Sequence, residues 1–401
     1  MNSSNSIKRQ SFLHFTIFSL LFLVTLNLLN AFYYLVFIVC CFAFVVFGFK
    51  IKFDFSSVAL LVLSISLICF SPMTHTSLPS VLKPLVYPMC YVLGYSLQSI
   101  QIKDEDPKKS ETTLIKTGIV LAAGALARYI LNWISNFGSD SRNNVDIWTK
   151  ETLGATNQSA MACMAIAIAI SFLFFKVGVK YKVISVAVIL VALAYNLVLA
   201  GRTLLVLVAI LILISTLYRI SSAKGRIWFI CIVSIVALGL FGIYKLNLFN
   251  IRGIIQDSVL YERFFGDFSQ EITDDSRFDI KLNYFKYMAL YPFGGFNLRK
   301  AFGYGHDILL DTYDEAGIFA LVAVLTYLLL SILRLIKCIK SKQLSFGTRI
   351  MILCFYAAVY IEFMLEPVLQ GLPWLFAAFC VIDGYTSSLL KQKRKLINNF
   401  S

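Results

Sequence analysis

Long runs of apolar residues, separated by short polar segments, recur along almost the whole chain. A run of about 20 apolar residues, each rising 1.5 Å, is long enough to cross the hydrocarbon core of a bilayer as one helix. The pattern therefore predicts twelve membrane-spanning helices. They are placed near 11–29, 31–49, 55–71, 81–100, 113–133, 155–175, 183–200, 203–218, 227–244, 315–336, 350–366 and 370–389.

Two polar stretches are longer than the other connections between the predicted helices, at about 134–154 and 245–314. The second stretch contains helix-capping signals and regularly spaced apolar residues, so we expect it to be ordered and partly helical. This divides the chain into helices one to nine over 1–244, a long loop over 245–314, and helices ten to twelve with a basic tail over 315–401.

The composition supports a polytopic, all-α membrane protein. Apolar residues make up 59% of the chain and charged residues only 14%, whereas soluble proteins carry about 25% charged residues. So few charges cannot cover a surface that faces water. An ordinary soluble protein and a disordered one are both excluded.

The net charge of +14 is distributed unevenly between the two predicted sides of the membrane. Most Lys and Arg residues, Arg334 and the basic tail among them, fall on the side of the N-terminus, whereas most acidic residues fall on the other side. Positive residues mark the cytoplasmic side, so we expect both termini in the cytoplasm and both long loops outside. The basic charge reflects topology, and no nucleic-acid partner is expected.

Two arginines on the predicted outer side are candidates for binding a phosphate. Arg202 begins the predicted eighth helix after a very short turn, where it either binds an anion or extends towards water. Arg277 follows Ser276 in an S-x-x-D capping sequence, so it is expected in the first turn of a helix that Pro292 ends. A helix N-terminus and a guanidinium both favour a phosphate, and a surface ion pair is the alternative.

A third candidate site lies in the sequence GYGHDILLDTYDEAG, just before the predicted tenth helix. His306 is the only histidine of the long loop, and a neutral imidazole is a suitable general base near pH 7. Asp307, Asp311 and Glu315 follow at intervals of four residues, which predicts one acidic face of a helix. The alternatives are a capping or packing histidine and a solvated acidic face.

Further polar residues lie near the outer ends of predicted helices, where ionisable groups either form functional sites or pair with one another. They are Arg128, Asn157, Gln158, Glu362 and Glu366. The sequence contains no nucleotide-binding motif, and its nine cysteines have no metal-binding spacing. We expect neither a metal nor a cofactor.

Several of these features together resemble the superfamily of O-antigen polymerases and O-antigen ligases. They are an outer arginine at a helix start, a loop arginine followed by P-x-x-G, and G-x-G-H before D-x-x-x-E-x-G-I, within roughly 155–370. Ten residues separate His306 from Gly317, which is similar to the spacing in such polymerases. The chain departs from the family in two places: the usual His-Asn pair reads His306–Asp307, and Arg277 precedes its glycine by one residue more than in one polymerase pattern.

The resemblance implies a GT-C-like integral-membrane glycosyltransferase at the periplasmic face of the bacterial inner membrane. Such enzymes take a glycan from undecaprenyl diphosphate and need neither a nucleotide sugar nor a metal. Arg202 and Arg277 would hold the diphosphate, and His306 would act on the acceptor. The remaining residues expected at the site are Arg128 and Asn157 as diphosphate ligands and Asp307, Asp311, Glu315, Glu362 and Glu366 as supporting acids.

We therefore expect an O-antigen polymerase that joins lipid-linked repeat units with inversion, in a lipopolysaccharide pathway with a flippase and a chain-length regulator. The 29 residues from Arg277 to His306 favour the polymerase over the ligase, which transfers the glycan to lipid A core and has a longer stretch there. A lipid-linked oligosaccharide flippase is the alternative of another class. It would carry ionisable residues along a cavity that crosses the whole membrane.

Overall fold

The computed structural model describes residues 3–46, 53–99, 107–138, 144–152, 154–199, 201–220 and 276–398, together with a few isolated positions. Within these ranges the regular structure is helical, apart from one isolated antiparallel bridge between Val145 and Thr152. This confirms the all-α class that the sequence predicts.

We number the described α-helices α1 to α15 in chain order. They are Ser3–Leu26, Phe32–Cys41, Phe55–Phe70, Leu78–Leu82, Val86–Ser99, Pro107–Ser135, Ala155–Phe174, Val179–Val198, Arg202–Arg219, Ser276–Tyr287, Asn297–Phe302, Ile308–Lys340, Phe346–Leu365, Val368–Gly371 and Pro373–Asn398. Seven of them are long and apolar enough to cross a membrane, namely α6, α7, α8, α9, α12, α13 and α15. The apolar parts of α1, α2 and α3 are shorter.

Eleven of the twelve predicted helices coincide with helices of the structure, and the predicted helix at 227–244 lies outside the described residues. The predicted fourth helix begins later than expected, at Val86, after α4 and a 3-10 turn that contains Pro84. Proline has no N–H to donate, so a continuous α-helix is unfavourable there. The predicted tenth helix begins earlier, at Ile308, because Asp307 caps it.

Close helix packing depends on glycine where α5 meets α15. A Cβ atom on Gly94 would overlap the carbonyl oxygen of Val381, and one on Gly384 would overlap the carbonyl oxygen of Tyr91. Each helix therefore brings a glycine against the backbone of the other. Small residues of this kind allow the close approach that stabilises helix pairs in membranes.

Polar contacts group the helix termini at two ends of the bundle. At one end, Asp54 caps α3 and accepts hydrogen bonds from Tyr91 of α5 (2.8 Å) and Ser387 of α15 (2.9 Å). We call this the tail end, because the last helix finishes there. The opposite end collects the C-termini of α1, α3 and α6 and the N-termini of α7, α12 and α15 around a common cavity, and we call it the site end.

An ion pair between Arg334 and Asp383 is buried inside the bundle, and it corrects the sequence analysis, which counted Arg334 with the cytoplasmic loops. Arg334 Nε donates to Asp383 Oδ1 (2.8 Å) and Nη1 donates to Ser56 Oγ (2.7 Å). The hydroxyl of Tyr356 donates to the same carboxylate (2.7 Å). The contacts join α3, α12, α13 and α15, so the charges are balanced within the helix packing.

Candidate functional site

A cavity of about 360 Å³ lies at the site end, and we call it the first cavity. Its wall combines apolar side chains with amides, hydroxyls and charged groups. The charged residues among those that line it are Lys83, Arg128, Asp146, Glu151 and Glu315. Both signs of charge and many hydrogen-bonding groups suit a polar ligand rather than an apolar one.

The loop 144–152 closes one side of the first cavity, and two residues of α6 and one directly after it hold this loop. Arg128, Asn132 and Asn136 are spaced by four residues, so they lie along one helix face. Asn136 forms two hydrogen bonds with the backbone of Val145, both 2.9 Å, and Asn132 Oδ1 accepts from the N–H of Ile147 (3.0 Å). The C-terminal end of α6 therefore fixes the described part of this loop.

Arg128 forms an ion pair with Asp146 beside the cavity. Its Nη2 and Nε atoms lie 2.6 and 3.0 Å from Asp146 Oδ2, while Oδ1 accepts from the backbone N–H groups of Trp148 and Thr149. Burial opposes ionisation of Asp146, but the guanidinium and the N–H groups outweigh it and lower the pKa of the carboxyl. Arg128, expected from the sequence to meet a diphosphate, thus lines the cavity with its charge already balanced.

A second cavity of about 340 Å³ adjoins the first and contains the predicted base. It is lined by Tyr304, His306, Glu366 and Pro367, with Thr156 at the start of α7. Three residues line both cavities and form a common wall, namely Asn157, Gln370 and Gly371. Of the residues that the sequence singled out, the structure brings His306, Glu366 and Asn157 together here.

His306 has an unusual backbone conformation. Its φ of 53° lies in the left-handed region, which residues other than glycine adopt rarely. The ring of Tyr304 lies beside its imidazole, with 6.4 Å between the centroids. Strained residues of this kind concentrate at functional sites.

The predicted acidic face at the start of α12 exists, but it is buried rather than solvated. Asp307, Asp311 and Glu315 are 7%, 3% and 7% exposed. Asp307 caps α12 and pairs with Lys281 of α10 (3.0 Å), and Asp311 accepts from the N–H of Leu369 (3.2 Å). These two acids therefore hold the neighbouring segments around the cavities.

Glu315 differs from the other acids because it lines the first cavity. One of its carboxylate oxygens accepts from the hydroxyl of Ser71 (2.6 Å) at the end of α3. The other is buried. A carboxylate held in this way is suited to accept a hydrogen bond from a bound hydroxyl.

A fourth acid of this segment, Asp314, was not singled out from the sequence. It is almost fully buried, and its Oδ1 accepts from the N–H groups of Leu298 and Arg299 at the start of α11 (3.0 and 3.1 Å). Its place in the DTYDEAG sequence was visible, but its distant backbone partners were not. Asp314 thereby attaches the last part of the long loop to α12.

The chain bends sharply directly after these acids. Gly317 has φ 76° and ψ −161°, and a Cβ atom there would overlap the carbonyl oxygen of Pro292. That carbonyl accepts from the N–H of Ile318 (2.9 Å), so the loop takes the place of a helical partner. The bend separates the short acidic segment 308–315 from the long apolar part of α12.

Arg299 is a second functional candidate that the sequence analysis missed. Its guanidinium lies 3.8 Å from the ring centroid of Phe296 and 4.7 Å from that of Tyr304, and Nη1 donates to Gln370 Oε1. Tyr304 and Gln370 both line the second cavity. No local motif marks Arg299, because its importance depends on Gln370, 71 residues later.

Lys83 adds a further cation that the sequence analysis did not single out. It lines the first cavity, and its Nζ lies 5.2 Å from the ring centroid of Tyr33. The sequence signal was weak, since Lys83 stands beside Pro84 at the start of an apolar run. Only the packing of α2 against this segment places it in a cavity.

Arg202 begins α9, as the sequence predicts, and is partly exposed. The turn before it is fixed by Asn196, whose Nδ2 donates to the carbonyl of Gly201 (2.6 Å) and whose Oδ1 accepts from Ser159 (3.1 Å). Ser159 is two residues after Asn157, which lines both cavities. The arginine therefore stands beside the segment that forms the common wall, although it lines neither cavity.

Arg277 lies in the first turn of α10, and the helix ends before Pro292, as predicted. Its side chain lies outside the described part of the structure. The ion pair between Lys281 and Asp307 ties α10 to the start of α12. The helix that carries Arg277 is thus attached to the segment that carries His306.

Glu362 and Glu366 end α13 one helical turn apart. Glu366 lines the second cavity, whereas Glu362 is fully buried beneath it, and neither carboxylate oxygen of Glu362 forms a hydrogen bond with a described residue. Gln158, another sequence candidate, is also fully buried. These groups make the floor of the site end polar.

Comparison with known proteins does not assign the chain to a family. No protein-family model matches it, and no curated protein matches it significantly.

Proposed function

We propose that the chain is an integral-membrane glycosyltransferase of the O-antigen polymerase type. The observation that carries this proposal is the pair of adjoining polar cavities at one end of an apolar helix bundle. A polymerase must hold two glycans, a donor and an acceptor, next to each other. Two cavities with a common wall at Asn157, Gln370 and Gly371 are suited to that task.

In the proposed reaction His306 is the general base. Its imidazole takes the proton of the acceptor hydroxyl while that oxygen bonds to C1 of the donor sugar. The bond from C1 to the diphosphate oxygen breaks, and the diphosphate leaves with the electron pair. A positioned base contributes about 10²–10⁴-fold to such a step.

Negative charge grows on the leaving diphosphate, so fixed cations must lie close to it. We assign this role to Arg202 and Arg277, which the sequence singled out, and add Arg299. Arg299 is supported by its contact with two residues of the second cavity, Tyr304 and Gln370. The N–H groups along the edges of a guanidinium bind phosphate oxygens through paired hydrogen bonds.

The carboxylates are proposed to bind sugar hydroxyls rather than to attack C1. Glu366 lines the cavity of His306, and Glu315 lines the adjoining one. Direct displacement by the acceptor needs no carboxylate nucleophile and inverts the configuration at C1. Glycosyl transfer with inversion is therefore the outcome we favour.

The proposal places the chain in the bacterial inner membrane with twelve spans, a GT-C-like arrangement and the site end facing the periplasm. Undecaprenyl-diphosphate-linked oligosaccharides are the expected substrates, because a polyprenyl chain requires a site that is reachable from the bilayer. A flippase and a chain-length regulator of the same pathway are the expected partners.

The test is complementation of a strain that lacks this gene, read as the lipopolysaccharide ladder on a gel. Wild type should restore a long ladder from a background with a single repeat unit. His306→Ala should reduce polymer formation by about 10²-fold or more. His75→Ala, at an exposed histidine of the short turn after α3, is the matched control and should retain full activity. Both variants must be present in the membrane at the wild-type level.

Other outcomes would assign other functions. If the background has no repeat unit on lipid A core and wild type restores it, the chain is a ligase. If lipid-linked units accumulate on the cytoplasmic side without the gene, it is a flippase. Full activity of His306→Ala would overturn the proposed base.

A further inference from the structure

A third cavity lies at the tail end of the bundle, far along the helices from the two cavities at the site end. Its volume is about 520 Å³. It is formed where α6, the C-termini of α7 and α9, and the N-terminus of α13 come together. Its lining includes Ile115, Phe175, Phe346, Lys176 and Arg219.

The lining of this cavity separates into an apolar floor and a cationic rim. Phe175 is buried, and Ile115 and Phe346 are partly buried, whereas Lys176 and Arg219 are exposed. The rings of the floor are fixed by neighbours: Phe175 stacks on Phe172 at 4.6 Å and Phe346 on Tyr218 at 5.8 Å. The cavity thus offers positive charge at its mouth and hydrocarbon contact inside.

The positive charges of the rim, Lys176 and Arg219, are not neutralised by the buried acid of α6. The Arg219 guanidinium lies 6.0 Å from the ring centroid of Phe174, which also lines the cavity. Glu111 of α6 lies four residues before Ile115; it is buried and accepts from the N–H of Ser345 (3.0 Å) and the hydroxyl of Thr348 (2.7 Å). The carboxylate therefore binds the first turn of α13 rather than the two cations.

We propose that this cavity binds the headgroup and upper acyl chains of an anionic phospholipid. Basic pockets between membrane helices on the cytoplasmic side are suited to such headgroups. The distribution of Lys and Arg predicts that the tail end faces the cytoplasm. The aromatic floor distinguishes this ligand from free phosphate, which has no apolar part. The inference does not depend on the proposed glycosyl transfer.

The test is native mass spectrometry of the full-length purified chain, titrated with dioleoyl phosphatidylglycerol or with dioleoyl phosphatidylcholine. The wild-type chain should retain a first phosphatidylglycerol molecule more strongly than phosphatidylcholine. Lys176→Gln combined with Arg219→Gln should weaken that binding by about fivefold for each cation removed. Lys337→Gln combined with Lys340→Gln removes the same charge from exposed positions near the end of α12 and should leave the binding unchanged.

A second variant tests the apolar part with both cations present. Ile115→Trp adds volume inside the cavity and should also weaken retention of phosphatidylglycerol, which keeps the inference testable if the charge variant does not fold. Equal losses in the two charge variants would indicate unspecific surface attraction and overturn the site. Displacement of the lipid by millimolar inorganic phosphate, or full binding by Ile115→Trp, would also overturn it.

Discussion

Arg128 Nη2 lies 2.6 Å from Asp146 Oδ2, and both side chains are almost entirely shielded from solvent. This ion pair attaches the loop 144–152 to the C-terminal part of α6. The same two residues line the first cavity. Together with the hydrogen bonds of Asn132 and Asn136, this buried pair fixes the position of one cavity wall.

Replacement of Asp146 by asparagine should loosen that wall. Asp146→Asn keeps the shape but leaves the Arg128 guanidinium without its counter-charge, and breaking a buried pair in this way costs about 3 kcal/mol. The melting temperature of the purified chain should fall, and a protease should cut the loop more readily. Glu151→Gln removes an exposed charge of the same loop and is the matched control. Equal melting temperatures for Asp146→Asn and the control would contradict the importance of the pair.

The same pair predicts a pH dependence of stability. The pKa of Asp146 is lowered in the folded chain, whereas an unfolded aspartate titrates near 3.9. The stabilisation is therefore fully present above about pH 4 to 5 and is lost as the pH falls through the lower, folded pKa. The difference in melting temperature between wild type and Asp146→Asn should stay constant from pH 8 to pH 6 and shrink in more acidic buffer. A difference that grows on acidification would show the opposite sign.

Gly317→Ala should disrupt the start of α12. The backbone at Gly317 has a conformation that is open essentially to glycine alone, and the added methyl group would meet the carbonyl of Pro292. We expect a loss of roughly 3 kcal/mol in stability, measured by thermal unfolding, together with reduced polymer formation. Gly138→Ala is a matched control, because Gly138 also has a positive φ, 83°, but no atom within 4 Å of the added Cβ. Similar effects of the two substitutions would mean that backbone strain, not contact with Pro292, decides the outcome.

Arg299→Ala should reduce glycosyl transfer by about 10- to 100-fold, because it removes a charged hydrogen bond at the wall of the second cavity. Arg299→Lys should recover only part of the rate, since lysine keeps the charge but lacks the planar fork. The rate of lipid-linked repeat-unit joining in membrane vesicles measures both. Lys300→Ala changes the exposed neighbouring cation and should have no effect. Full activity of Arg299→Lys would reduce the role of Arg299 to its charge.

Arg334 and Asp383 should behave as a structural pair. Arg334→Met or Asp383→Leu alone leaves a buried charge without a partner and should destabilise the chain by about 3–5 kcal/mol. The double variant removes both charges, and its stability should return close to that of wild type. Thermal unfolding of the three variants gives the coupling directly. If the double variant is stable but inactive in complementation, the pair has a function beyond packing.

The sequence predicted the helices well because each depends on a local property. The apolar runs that form α6, α7, α8, α9, α12, α13 and α15 needed no tertiary information. The start of α10 at an S-x-x-D sequence and its end before Pro292 were likewise local. The boundary of α12 was less accurate, since the sequence placed the apolar span correctly but not the capped acidic turn before it.

The candidate site was predicted only in part. His306, Asn157 and Glu366 were singled out from the sequence, and they line one cavity. Arg299 and Gln370 were not, because neither stands in a motif and each gains its place from the other. The burial of Asp311 also depends on α14, because Asp311 accepts a hydrogen bond from the backbone N–H of Leu369 in that helix.

The sequence by itself determined the all-α class, the positions of most helices and the kinds of chemical group near the helix ends. Those properties follow from the hydropathy, periodicity and capping residues of each segment, which are local features of the sequence. Only the tertiary structure decided which charges are balanced. Arg334 pairs with Asp383 and Arg128 pairs with Asp146, whereas Glu315 lines a cavity and accepts a hydrogen bond from Ser71. Such pairings join distant parts of the chain, so they depend on helix packing and not on local sequence.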